Sequence, residues 1–188
     1  IPPGYHVRIG GMQEVIEESI GDLYMVLGLA VILVYLVMAA QFESFVQPLI
    51  IMFTIPLAFI GSILALWITG GNIGIMSMIG VIVLAGIVVN NAIVLVDYIN
   101  QQREQKNVTV SEAILEACRV RLRPILMTSI TTIFGLIPVA LGYGAGSEFQ
   151  KPLAVTVIGG LLTSTILTLF VIPVVYALIN PRHKSPRL

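Results

Sequence analysis

The chain has 188 residues, 57% hydrophobic and 11% charged, with ten Lys and Arg set against ten Asp and Glu. Soluble domains carry about 25% charged residues, whereas residues 44–96, a run of 53, contain no acid, base or histidine. This depletion excludes an ordinary soluble domain, the balanced charge offers no excess for a nucleic-acid partner, and the fold class expected is an all-α integral membrane protein with lipid around it.

The chain opens on Ile1, with no basic leader before a short apolar run. No signal peptide is therefore expected, and the sequence reads as part of something longer. Residues 1–21 are expected to lie outside the membrane as the end of a loop. Five apolar runs follow, over about Leu23–Ala40, Phe45–Thr69, Ile73–Val96, Pro124–Leu141 and Pro152–Ile179. Turn signals separate them at Gln41–Ser44, at Gly70-Gly71-Asn72 and at Gly142–Ser147. The division expected is three helices over 22–99, a cytoplasmic amphipathic connector over 100–123, two helices over 124–180, and a cytoplasmic tail over 181–188. Pro48, Pro124 and Pro152 fall near helix starts, where a missing N–H costs nothing, while Pro56, Pro138 and Pro173 fall inside spans and should kink them.

Within the connector, TVSEAILEACRVRL (109–122) reads as one amphipathic helix. Thr109 and Glu112 have capping-box spacing. Ile114, Ala117, Cys118 and Arg121 share one side, which suits a helix in the cytoplasmic interface. An ordinary solvated connector is the alternative. Five spans put the chain ends on opposite sides. One side then collects Arg103, Lys106, Arg119, Arg121, Arg123, Arg182, Lys184 and Arg187, the other only Arg8 and Lys151. The positive-inside rule places residues 100–123 and the C-terminus in the cytoplasm. Small residues spaced four apart, Ala58/Ser62, Gly61/Ala65, Gly159/Thr163 and Gly160/Ser164, argue that the helices pack as a bundle.

The stretch GIVVNNAIVLVDYI (86–99) sets Asn90 and Asn91 mid-span and Asp97 near its cytoplasmic end. Asn90 and Asp97 are two turns apart on one face, with Gly86 on the same side. Carboxamides in hydrocarbon need partners. They serve either as interhelical glue or as a functional site. Thr128, Thr131, Thr132 and Gly135 make a facing stripe on the fourth span, toward which an inward Asn90 should point. Arg121 joins that face if the helix runs through Pro124, as one end of a polar pathway or as a snorkelling anchor. Cys118 is alone, so no internal disulfide forms, and no metal-ligand cluster is spaced for a metal. His6 and His183 lie outside the spans and no HExxH or GxSxG occurs, so an enzyme is not expected.

GIVVNNAIVLVDYI, SEAILEACRVRLRPILMTSITTIFGLIPVALGYGAGSE and LVMAAQFESFVQPLIIMFTIPLAFIGSILAL closely resemble the hydrophobe/amphiphile efflux branch of the resistance-nodulation-division (RND) transporters. The resemblance covers nearly the whole chain. It implies the last five of twelve helices, with residues 1–20 rejoining the membrane from a periplasmic loop and the missing N-terminal half as intramolecular partner. It further implies a bacterial inner-membrane homotrimer with adaptor and outer-membrane partners, exporting drugs, detergents or lipid-like molecules. No cofactor is implied; the proton motive force drives such pumps, and the residues leave sodium open. The family's proton site pairs two acids on its fourth helix with a lysine on the tenth and an arginine and threonine on the eleventh. By motif Asn90 stands at the lysine, Asn91 follows it, and Arg121 and Thr128 are the arginine and threonine. Asn90 carries no charge, which departs from the pattern. A helical anchor or assembly module without ion traffic is the rival reading.

Overall fold

The computed structural model describes residues 11–106, 108–144 and 146–179. Its helices are α1 Met12–Phe42, α2 Val46–Met52, α3 Thr54–Thr69, α4 Ile75–Lys106, α5 Val110–Ala140 and α6 Ser147–Ile179, and no strand occurs among the described residues. With α2 and α3 counted as one crossing, five segments are long and apolar enough to span a bilayer, as expected. Residues 1–10 and the tail 181–188, with His6, Arg8, Arg182, His183, Lys184 and Arg187, lie outside the described residues.

The helices outrun the apolar runs because their flanks are good helix formers. α1 starts at Met12 and takes in MQEVIEES, while α4 continues past Val96 through DYINQQREQK. Glu, Gln, Met, Lys and Arg all favour helix. At about 1.5 Å per residue α4 is roughly 48 Å long, well beyond a hydrocarbon core of about 30 Å.

The second span is broken where proline predicts a kink. Pro56 has no N–H for the Met52 carbonyl and its ring crowds that oxygen, and the helix is interrupted at Phe53. Thr54 Oγ1 donates to the Ile51 carbonyl at 2.7 Å, so the buried break keeps that oxygen paired. Pro138 falls in the last turn of α5, and Pro173 lies inside α6 without ending it. α3 ends in a Schellman motif: the Gly71 amide reaches the Leu66 carbonyl at 2.8 Å and the Gly70 amide the Trp67 carbonyl at 3.3 Å. Gly70 has φ +65, a conformation that favours glycine.

The capping box at the start of α5 forms as its spacing predicts. Thr109 Oγ1 accepts the Glu112 amide at 3.4 Å, and Glu112 Oε2 accepts the Thr109 amide at 3.1 Å. The amphipathic segment is present, but it is the first part of α5, which runs unbroken through Pro124. Membrane helices tolerate one lost ladder bond of this kind. Its apolar stripe closes on the chain itself: Ala113 and Ala117 are fully buried in a cluster with Val96, Ile99 and Tyr176, with Ile114 and Cys118 packed against it. α4 and α5 thus occupy most of the expected connector over 100–123.

The small-residue pairs face one another across α3 and α6. A Cβ added at Gly61 would sit 2.6 Å from the Gly159 carbonyl, and one added at Gly159 would sit 2.8 Å from the Gly61 carbonyl. Ser62 Oγ donates across the same contact to the Thr156 carbonyl at 3.0 Å. α4 approaches α6 as closely at Gly80, whose added Cβ would lie 2.9 Å from the Leu153 carbonyl. Backbones meet at these points because no side chain stands between them.

Candidate functional site

The polar side chains of the spans divide between two faces of α4. Asn90 and Asp97 are exposed, and so are Gly86 and Gln101. An added Cβ at Gly86 meets nothing within 4 Å. This face is uncovered, and the shared side predicted for Asn90 and Asp97 is what the helix shows. Asn90 lines an apolar groove of about 360 Å³ between α4 and α1, with Leu27, Val34 and Val37 on the α1 wall. Asp97 opens on a polar recess with Gln41, Glu43, Asn100, Gln101 and Glu104.

The neighbour expected for Asn90 belongs to Asn91. Thr128 Oγ1 lies 3.5 Å from Asn91 Oδ1, at the outer limit of a hydrogen bond, while donating to the Ile125 carbonyl at 3.0 Å. Asn90 points into the α1 groove, because one residue turns a helix by about 100° and only one of two adjacent carboxamides can face α5. Thr132 Oγ1 donates back to the Thr128 carbonyl at 2.8 Å. Thr131 and Thr128 are exposed and Thr132 is half-buried, so the hydroxyl stripe edges the same uncovered side.

Arg121 is half-buried where α5 crosses the lower part of α4. Its guanidinium carbon stands 4.8 Å from the centroid of the Tyr98 ring. Its Nε is buried with no hydrogen-bond partner among the described residues. Arg119, two residues back, is exposed. The helix does run through Pro124, so Arg121 and Thr128 share a face of α5 as the spacing requires.

A second polar group was not anticipated. Asn100 Nδ2 donates to Gln47 Oε1 at 2.7 Å, the Tyr176 hydroxyl donates to Asn100 Oδ1 at 2.6 Å, and Arg103 Nη1 donates to that hydroxyl at 3.0 Å. The chain ties α2, α4 and α6 around a Tyr176 that is fully buried. In sequence Arg103 reads only as a topology charge; its 73-residue separation from Tyr176 hides the pairing. Ser129 and Thr165 share a buried hydrogen bond of 2.8 Å between α5 and α6, also without a sequence signal. Among the described residues no three His, Cys, Asp or Glu side chains gather to hold a metal ion.

Relatives cover the whole of this architecture. The chain is 37% identical over 187 residues to the multidrug resistance protein MdtC of Erwinia tasmaniensis, a match taking in 100% of this chain and 18% of the relative. It is 43% identical over 187 residues to the swarming motility protein SwrC of Bacillus subtilis, covering 98% of this chain and 18% of that protein. A crystal structure of a heavy metal efflux pump superposes with a TM-score of 0.83 at 35% identity, over 97% of this chain and 18% of the pump. The chain thus spans less than a fifth of the length of these proteins. The model of the AcrB/AcrD/AcrF family matches residues 1–180. This chain belongs to that family, as a multi-pass membrane portion of a resistance-nodulation-division transporter.

Proposed function

We propose that this chain is the C-terminal membrane portion of a proton-driven efflux transporter that exports drugs and other amphiphiles. One observation carries the reading. The polar side chains of α4 and α5 collect on faces that the five crossings leave uncovered, with Asn90 and Asp97 exposed on α4 and Thr128 and Thr131 exposed on α5. An unpaired carboxamide such as that of Asn90, facing hydrocarbon, costs several kcal/mol, on the order of 2–7, so these faces are suited to contact more of the same transporter and not lipid. An acidic helix from the missing half, seated there, would meet Arg121 and Thr128 at one end and Asn90 and Asn91 beside them.

Asn90 carries no charge, so Arg121 is the cation of this stripe. An acid whose proton comes and goes would be drawn to Arg121 when ionised and released when protonated. Helix movement following that exchange would transmit ion flux to periplasmic domains. The energy source is the ion gradient, with no cofactor. Eight basic residues against two support a cytoplasmic location for residues 100–123 and the C-terminus. In full-length form the transporter would work as a trimer with adaptor and outer-membrane partners.

The test uses the full-length transporter in proteoliposomes. Arg121→Ala should abolish efflux driven by an imposed pH gradient at unchanged membrane level, while exposed Arg119→Ala retains it. Equal effects from both would reduce Arg121 to a topology anchor. Efflux driven by a sodium gradient and not by a pH gradient would replace the coupling ion.

A further inference from the structure

The faces of α4 and α5 meet in two rungs of equal spacing. Asn91 and Tyr98 are seven residues apart on α4, and Thr128 and Arg121 are seven apart on the antiparallel α5. Seven residues are nearly two full turns, so each pair lies along one side of its helix at a separation of about 10 Å. The upper rung is Thr128 against Asn91 at 3.5 Å. The lower rung is the Arg121 guanidinium over the Tyr98 ring at 4.8 Å. Both helices are unbroken through these positions, so the second rung sets the height and azimuth of the guanidinium relative to the Thr128 hydroxyl.

We propose that Tyr98 is the positioning residue for Arg121, holding its guanidinium on the ring face at the foot of the stripe. Three features of the structure support the assignment. The distance lies inside the range of about 6 Å over which a ring quadrupole attracts a cation. The ring is half-buried against the cluster built around Leu95, Val96 and Ile99, so its own orientation is set by packing. Arg121 Nε is buried without an acceptor among the described residues, so the side chain is held there by the ring face and not by a directional bond at that nitrogen. A guanidinium on a ring face keeps its edge N–H groups free. It can therefore engage an incoming carboxylate without first breaking a hydrogen bond. An arginine tethered by an acceptor would lose that bond at each cycle. The role rests on the relay reading of Arg121 given above.

The experiment replaces Tyr98 in the full-length transporter with phenylalanine and with di- and trifluorinated phenylalanine, and compares Tyr98→Leu and Arg121→Ala. The readout is ethidium efflux from proteoliposomes under an imposed pH gradient, normalised to membrane level. Fluorination keeps the ring's shape but drains its face of negative potential. The expected result is a graded loss: Tyr98→Phe rescues what Tyr98→Leu loses, and the trifluorinated ring is slower than phenylalanine by about two- to five-fold, the range for a cation on an aromatic face. A flat series, with fluorinated rings pumping as well as phenylalanine while Arg121→Ala is inactive, overturns the positioning role and leaves the relay standing. Normal pumping by Arg121→Ala overturns both, because there is then no functional cation to position.

Discussion

Gly159→Ala is the sharpest test of how α3 and α6 approach. The added methyl would lie 2.8 Å from the Gly61 carbonyl oxygen and collide with the Ala65 methyl. Both obstacles belong to the facing helix at its surface, and the carbonyl cannot rotate aside as a side chain can. The helices must part by several tenths of an ångström or more along a contact that includes Gly61, Ser62, Gly159 and Gly160. Overpacking of this kind costs about 1–3 kcal/mol, equivalent to a fall of roughly 5- to 150-fold in the folded-to-unfolded ratio. Gly28 has nothing within 4 Å of an added Cβ, so Gly28→Ala should be neutral, or stabilising by up to about 1 kcal/mol from helix propensity. The assay is unfolding of the purified full-length transporter in mixed micelles with increasing denaturing detergent. Combining Gly159→Ala with Ala65→Gly removes one of the two collisions, so the pair should lose less than the sum of the single changes, as expected of residues in contact. Gly159→Ala as stable as the Gly28→Ala control would refute the close crossing.

Tyr176→Phe removes the hydroxyl that donates to Asn100 and accepts from Arg103; losing bonds to these half-buried partners should cost about 0.5–1.5 kcal/mol in the same unfolding assay, and an unchanged midpoint would show that the α2–α4–α6 tie contributes nothing. Asn90→Leu should slow efflux at unchanged membrane insertion while Ile68→Leu, 75% exposed before substitution, does not; normal pumping would leave Asn90 as packing glue. Asn90→Lys should be tolerated or should move the pH dependence of transport, since it restores the cation that the family resemblance implies, and a variant unable to insert would refute the acidic neighbour proposed for the position.

Much of this protein is legible in its sequence because the determinants are local. Hydrocarbon demands internally paired backbone, so uninterrupted apolar runs become helices whatever surrounds them. Thr109 and Glu112 are three residues apart and meet in the capping box by helix geometry alone. Asn90 and Asp97 share a face for the same reason. Gly and Pro mark the ends and the break: Gly70 takes positive φ, and Pro56 interrupts the second span at Phe53. The extent of α1, α4 and α5 was less visible, because hydropathy marks the hydrocarbon portion of a helix and not the soluble turns that prolong it.

The pairing of one helix with another is decided only by the tertiary structure. Small-residue spacing identifies stripes on α3 and α6 but does not say that they oppose each other; that follows from where α6 lies among α3, α4 and α5. The rotation of α4 about its axis decides which carboxamide reaches Thr128, and a turn of about 100° exchanges Asn91 for Asn90. The same rotation sets Tyr98 beneath Arg121. The sequence determines which side chains share one helix face, since that depends on spacing along a single chain segment. Their partners on other helices depend on crossing angles and azimuths, which the packing of Gly61 on Gly159 and of Gly80 on Leu153 sets for the bundle as a whole.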